Sequence, residues 1–542
     1  MKFNRLQVAM WLAITSVSTA AAGELSVVAK VTGEHIEQYF TLSQSGAIAA
    51  QTQQIRPQIG IQYDAKLLNI NLNAEHIQQR FDNGTDTQSY DFTNASLSTS
   101  WTVIERLLQI NANARQGYNS FNVNNLGRNL FLSPNRDLNK TQRYGVGFTS
   151  EWLTGSVFGG SLTGDVTSSE TQRDGGAVLK SDSHRLSLNL VNGNALPDLK
   201  WSLQVTQTDS SEFTNRDFDT TYANLDASYR LFGKVGLALN ASFDANEASL
   251  ADTGNAQIRD FTSYGVGLSY SPSAERSLSL TWNTSQSDDP EADEEDYLVG
   301  AIDWAFSSRT RLNARTSKRF FGRTSSANFV YNLKHLRAVA SRSEAVTSTS
   351  RLLNQGSIVT PFVCGAGASS INDCFLPETT DYTLGAGEQF INVSQPVFAL
   401  VDSVIIRKSD SLALLYDKRK TTISLTFSQT SQERLRQQNI IDADIIDFQL
   451  GYQVGSYTSI SLEYSTQEYL QTLLSDASTS EGTFTEYGMT LSRDFGRSLN
   501  TELTLKRLDK EGSVTGFNSF GVFTDEDYTE SRITFSLSYE EQ

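Results

Sequence analysis

Polar and apolar residues alternate one by one along much of this chain. Leu68, Ile70, Leu72 and Ala74 take turns with Asn69, Asn71 and Asn73, and Leu186, Leu188 and Leu190 with Arg185, Ser187 and Asn189. The same beat returns at Ala223/Leu225/Ala227/Tyr229/Leu231, Val235/Leu237/Leu239/Ala241/Phe243, Ile423/Leu425/Phe427, Ile446/Phe448/Leu450/Tyr452 and Ile533/Phe535/Leu537/Tyr539. A period of two gives a strand one greasy and one polar face. No run of 18 apolar residues follows the first 22, so no transmembrane helix is offered.

The connections between these segments come in two lengths that alternate. Short turns fall at 64–66, 153–155, 232–234, 417–420, 455–457 and 494–497. Long polar stretches fall between them, at 119–140, 168–180, 209–219, 244–260, 285–296 and 467–482. Short and long in alternation predicts an all-β transmembrane antiparallel up-and-down barrel, with tight periplasmic turns and long extracellular loops. Counting segments predicts about 24 strands, within about two either way.

The start of the chain fits that destination. Lys2 and Arg5 precede an apolar run from Leu6 to Val17, and Ala20, Ala21 and Ala22 stand before Gly23. This reads as a cleavable secretory signal over 1–22, leaving 23–542 as the barrel, placed in the bacterial outer membrane with both termini periplasmic. A signal anchor would need a longer apolar run.

A soluble sandwich, solenoid or propeller would also alternate. Two features favour lipid. Trp101, Trp152, Trp201 and Trp304 lie close to short turns, where an interfacial aromatic belt belongs. Tyr144-Gly145-Val146-Gly147, Tyr264-Gly265-Val266-Gly267 and Tyr487-Gly488-Met489 are read as strand starts entered from long loops, which puts tyrosines at the outer rim. No fixed period of about 20 to 50 residues marks a repeat protein.

Composition agrees once the barrel is assumed. Only 38% of residues are hydrophobic, as expected when every second strand residue meets lipid and the loops and lumen are polar. The net charge of -17 and the lack of a basic tract argue against a nucleic-acid partner. Parity with the greasy positions predicts lumen-facing charges at Arg185, Asp226, Arg230, Asp303, Arg311, Arg315, Lys420, Asp447, Glu463, Glu502, Lys506 and Arg532. They could line a water path or grip a plug, or simply solvate and pair within a polar interior.

Dedicated chemistry is not marked. His35, His76, His184 and His335 lack metal-ligand spacing, and Gly145-x-Gly147 and Gly265-x-Gly267 lack the third glycine of a nucleotide loop. No Gly-x-Ser-x-Gly elbow occurs, so no enzyme, cofactor or metal is expected. The acidic run 288–296 lacks the spacing of a calcium loop, and reads as a solvated outer loop rather than a bridge through divalent ions to lipopolysaccharide. The segment 346–410 is the longest without convincing strands, and is expected to act as plug, gate or docking element. It holds both cysteines, Cys364 and Cys374, candidates for one local disulfide in an oxidising compartment.

Several strands resemble the PEP-CTERM system-associated outer-membrane protein family of Gram-negative bacteria. The similar pieces are Gln54-Ile55-Arg56-Pro57-Gln58-Ile59, Arg319-Phe320-Phe321-Gly322 leading into 327–343, Lys418-Arg419-Lys420 before 422–428, and the ending 525–539. The resemblance implies a surface-layer barrel associated with exosortase and exopolysaccharide systems, and it assigns no catalytic or ligand residue. Glu540-Glu541-Gln542 follow Tyr539, a departure from the terminal aromatic that the barrel assembly machinery reads in many such proteins. The expected function is a pore or transport component whose partners are outer-membrane lipid, lipopolysaccharide, the assembly machinery and polysaccharide or export components. The alternative is a non-conducting structural or adhesive surface protein with a plugged lumen.

Overall fold

The computed structural model describes residues 23–541 apart from 44–45, 85–86, 120–138, 153–154, 156, 173–177, 213–215, 250–255, 288–295, 320–321, 349–357, 366–370, 372–373, 376–387, 394–403, 435–438, 474–477 and 513–526. The signal segment 1–22 and nearly all of the acidic run lie outside the described residues. Among the described residues there is no α-helix.

The alternating segments become β1 (Glu24–Leu42), β2 (Gly46–Asp64), β3 (Leu68–Asp82), β4 (Thr87–Ile104), β5 (Leu108–Asn119), β6 (Asn139–Trp152) and β7 (Phe158–Gln172). Next come β8 (Val178–Asn192), β9 (Leu199–Glu212), β10 (Arg216–Phe232), β11 (Val235–Ser249), β12 (Ala256–Ser273), β13 (Arg276–Ser287) and β14 (Asp296–Ser307). β15 (Thr310–Arg319), β16 (Gly322–Asn332) and β17 (Leu336–Ser348) precede three short strands, β18 (Ile358–Gly365), β19 (Cys374–Phe375) and β20 (Glu388–Val393). The chain ends with β21 (Val404–Lys418), β22 (Thr421–Arg434), β23 (Asn439–Gly455), β24 (Thr458–Leu473), β25 (Ser478–Phe495), β26 (Leu499–Gly512) and β27 (Tyr528–Glu541).

All but β18, β19 and β20 belong to one 24-stranded antiparallel sheet. Each strand pairs with the next, β17 passes directly to β21, and β27 returns to β1 with Tyr539 opposite Val31 and Tyr528 opposite Leu42. The sheet is therefore a closed ring, and the barrel expected from the alternation is the fold found. In hydrocarbon an unpaired peptide group costs several kcal/mol, so closure is what lets such a sheet cross a bilayer. Glu24 pairs with Asp64 beside the turn at 65–67, and Tyr539 with Leu499 beside the turn at 496–498, so both described ends share the short-turn rim. On that rim, Arg106 and Arg419 adopt positive φ (61° and 58°), the backbone twist that tight hairpin connections demand. Lys66 and Glu105 join two neighbouring turns at 2.5 Å, and the hydrogen bond from Lys66 holds the Glu105 carboxyl below its ordinary range.

Strand lengths correct the loop reading. Barrel strands run from 10 residues in β15 to 19 in β1 and β2, whereas a tilted strand crosses hydrocarbon in about 9 to 11. Most supposed loops are strand continuing past the membrane, where both faces are polar and the alternation of hydrophobicity fades. Tyr144, Tyr264 and Tyr487 accordingly sit inside β6, β12 and β25 rather than at their starts. Likewise, Val346 and Asp410 belong to paired barrel strands, with Ser348 opposite Val404 and Arg342 opposite Asp410. The true excursion is 349–403. Within it β18 pairs with β19 and β20 in a small sheet, Cys364 stands opposite Cys374, and Cys374 is disulfide-bonded.

The outward face is an apolar band. Tyr264, Val266, Leu268 and Tyr270 on β12 point out beside Leu237 and Leu239 on β11 and Leu280 and Trp282 on β13. Towards the short turns it carries Trp101, Tyr229, Tyr452, Phe495 and Tyr539, the aromatic girdle of a membrane interface. Leu268 is 62% exposed and lies midway up the band. Leu268→Arg is expected to destabilise the barrel by about 2 to 4 kcal/mol in guanidinium titrations on bilayer-inserted protein. The same change at Leu196, equally exposed but in a turn, should cost less than about 1 kcal/mol.

Candidate functional site

Side chains from strands that are not neighbours can meet only on the concave side of a closed sheet, so such contacts identify the lumen. Arg315 on β15 donates to Asp226 (2.5 Å) and Asn224 (2.9 Å) on β10, and Arg319 Nε to Asp244 on β11 at 2.7 Å. Asn283 on β13 donates to Asn240 on β11 at 2.9 Å, and the Tyr297 hydroxyl on β14 to Ser263 on β12 at 2.5 Å. The ladder carries this assignment from strand to strand around the ring.

These contacts also report shape. Twenty-four strands spaced about 4.8 Å apart and tilted about 40° would enclose a circle roughly 48 Å across. Strands five apart would then be separated by roughly 29 Å, beyond the reach of two side chains. The Arg315–Asp226 pair therefore requires the wall from β10 to β15 to fold in on itself. Glycines on the inward positions of β12 allow it: a Cβ on Gly265 would run into Asn283, and one on Gly267 into the Leu280 carbonyl. The resulting wedge is filled. Phe261, Tyr297 and Val299 form a buried cluster, Asp244 is 1% exposed, and the Arg319 guanidinium lies 4.7 Å from the Tyr222 ring centroid.

Two further charge groups lie on the lumen wall. Lys506 on β26 bridges Glu463 on β24 (3.0 Å) and Glu486 on β25 (2.9 Å). Glu463 and Glu486 border a cavity of about 190 Å³ with Asp447, whose carboxylate accepts a hydrogen bond from Ser465 at 2.6 Å. Near the ring's closure, Arg56 on β2 joins Glu34 on β1 and lies 3.7 Å from Glu75 on β3. On β27, Arg532 pairs with Glu530 at 2.6 Å, and Glu530 also accepts from Gln38 on β1.

The charges named from sequence parity are distributed over these groups. Asp226 and Arg315 meet in the wedge, Lys506 pairs with Glu463, and Asp447 borders the same cavity as Glu463. Asp303 and Arg311 form an exposed bidentate pair at 2.8 and 3.0 Å next to the turn at 308–309. Arg230 reaches Asp198 at 3.4 Å, also at the short-turn rim. Glu502 stands opposite Ser536, and Arg185 opposite Asp165 and Thr208. Lys420 occupies the turn after β21 and does not line the wall, because the hairpin there has only two connecting residues. Parity reasoning missed Asp244 by ending β11 too early. Arg319, the first residue of the Arg319–Gly322 motif, stands at an inward position next to the β15–β16 hairpin, opposite Gly322. Of the histidines, His76 bonds Thr93 and His335 the Asp417 carbonyl, both at 2.9 Å. Among the described residues, no group of three or more His, Cys, Asp and Glu could hold a metal ion.

No protein-family model matches the chain, and no curated protein matches it. Among solved structures it is similar to the siderophore receptor PirA from Acinetobacter baumannii, at 8% identity and a TM-score of 0.41, over 94% of this chain and 80% of that one. It is also similar to the FrpB iron transporter from Neisseria meningitidis, in the F5-1 variant apoprotein form, at 10% identity and a TM-score of 0.45, over 94% and 81% of the two chains.

The wedge separates interior pairs from rim pairs energetically. Arg319→Gln leaves the Asp244 carboxylate buried without its cation and should cost about 3 kcal/mol in denaturant titrations. Arg311→Gln breaks a pair whose arginine is 61% exposed, and should cost less than about 1 kcal/mol.

Proposed function

We propose that this barrel is a pore or transport component of the outer membrane, serving polysaccharide or exosortase-linked surface-protein export. Its short-turn rim and both ends would face the periplasm, and the excursion 349–403 would act as gate or docking element. The observation that carries the transport reading is the closed 24-stranded ring with a polar, charge-bearing inner wall. A ring of that strand number encloses space beyond what its own inward side chains fill, as in the large transport barrels. The export link rests on the resemblance of the Arg319–Gly322 hairpin and its companion segments. Lipid and lipopolysaccharide are the partners of the apolar band, and the assembly machinery is the partner of β27. A non-catalytic role accords with lumen charges engaged in pairing.

The filled wedge favours a second reading, a non-conducting surface protein with a plugged lumen. Planar-bilayer recordings separate the two. The transport reading expects single-channel steps, and larger or more frequently open ones when 349–403 is replaced by a short turn that keeps the Ser348–Val404 pair. Silence from both the intact protein and this variant, each shown to be inserted by heat-modifiable gel mobility, would support the plugged barrel.

A further inference from the structure

The outward side of the wall is not smooth. Ala241 on β11 stands opposite Leu225 and Tyr264, and Ala227 on β10 opposite Leu239. Over these two small residues opens a cleft of about 500 Å³, walled by Leu225, Leu239, Tyr264 and Trp282. It belongs to the apolar band and is continuous with the lipid-facing surface around it. The cleft runs from Leu239, four residues after Val235 at the short-turn end of β11, to Tyr264, nine before Ser273 at that end of β12. A tilted strand rises roughly 2.5 Å per residue, which puts the cleft roughly 10 to 23 Å above the short turns. Tyr229 and Tyr270, each three residues from its strand's short-turn end, mark the membrane interface roughly 8 Å up. Half of a hydrocarbon core about 30 Å thick reaches from there to roughly 23 Å. The cleft therefore lies within the leaflet on the short-turn side.

Below the cleft a cation is held ready. Arg276 begins β13 and shares the outward face of Leu278, Leu280 and Trp282. From Arg276 to Trp282 the strand rises roughly 15 Å, the depth of one leaflet's hydrocarbon. Arg276 Nε donates to the Ala305 carbonyl at 2.7 Å and Nη2 to the Phe306 carbonyl at 3.3 Å, while the guanidinium lies 5.8 Å from the Trp304 ring centroid. These contacts fix the guanidinium and leave further N–H groups for a ligand. Among the described residues no carboxylate pairs with Arg276. Lys234, exposed in the turn before β11, adds a second cation, and its carbonyl accepts from the Ser271 amide beside the Arg276 turn. At the other end of these strands the outward positions carry Glu247, Asp260 and Asp296, the last directly opposite Thr284 at the upper edge of the cleft. An anionic head group is drawn to the short-turn side and repelled from the far one. A fixed guanidinium suits phosphate, whose oxygens take paired, charge-assisted hydrogen bonds. We infer that Arg276 and the cleft form a binding site for one phospholipid of the leaflet on the short-turn side. Its phosphate sits on Arg276, and one acyl chain runs past Leu278 and Leu280 into the hollow over Ala227 and Ala241. This deepens the reading of lipid as partner of the apolar band, and rests on the proposed orientation only in calling that leaflet periplasmic.

The test uses full-length protein in dodecyl maltoside micelles, titrated with phosphatidylglycerol brominated near the ends of its acyl chains. Quenching of Trp282 is read as the difference between each protein and its W282F counterpart. It should saturate, with a midpoint at least about 10-fold below that of the tryptophans left in W282F. A241L, which fills the cleft, and R276Q, which removes the anchor, should each raise the midpoint at least about 5-fold. Brominated diacylglycerol, which lacks the phosphate, should bind the unsubstituted barrel at least about 5-fold more weakly than phosphatidylglycerol does, and R276Q should erase that preference. Equal midpoints for Trp282 and the other tryptophans, or an unchanged midpoint in A241L, would overturn the site. An unchanged midpoint in R276Q would overturn the phosphate anchor. Displacement of the probe by lipid A as readily as by unlabelled phosphatidylglycerol would overturn the leaflet assignment. If A241L lacks the heat-modifiable gel mobility of a folded barrel, A227L fills the same cleft. Saturable quenching in a barrel that stays silent in bilayers would refute the transport reading and leave the site standing, and single-channel steps without saturable quenching would do the reverse.

Discussion

Hydrocarbon offers a peptide group no hydrogen-bond partner, and the rest of this structure follows from that. A sheet that enters a bilayer must pair every strand on both sides, and the β1–β27 register supplies the pairing that an open sheet would lack. Once the ring is closed, the outward half of the side chains meets lipid and the inward half meets water or one another. A chain that is only 38% hydrophobic can satisfy this, because a single apolar face per strand is enough.

Closure fixes the wall but not its cross-section. From β10 to β15 the ring bends inward, and small residues decide where. Gly265 and Gly267 remove the inward side chains of β12, so Asn240 and Asn283 from the flanking strands can bond across it. The carboxylates and guanidiniums that follow are partly withdrawn from water, which is costly unless each is paired and hydrogen-bonded. Asp226 meets this condition with Arg315, Asn224 and Asn240 together. The bend is thus held by groups that are stable only while the bend exists, a cooperative arrangement that favours a rigid wall over a breathing one.

The alternation made the sheet, its two faces and the strand number legible, since lipid on one side imposes a strict period of two. Strand ends were hidden for the same reason. Beyond the bilayer both faces of β7 and β11 are largely polar, and a strand there looks like a loop. The inward parity of Asp226 and Arg315 was readable from Leu225 and Leu312, but their meeting was not. They stand 89 residues apart, and their contact depends on curvature that no local pattern encodes. The nearest available signal is Gly265 and Gly267 at inward positions, alternating with Tyr264, Val266 and Leu268.

Pairing also determines what a lumen wall can do for a ligand. A charge held by a neighbour of opposite sign is already neutralised, and an incoming group must break that bond to gain another. Lys506, shared between Glu463 and Glu486, is in this position, as are Arg315 and Arg319 in the wedge. Such charges support the fold and contribute little net attraction at a distance. Opposite signs across a ladder, or across the folded wedge, therefore stabilise the wall.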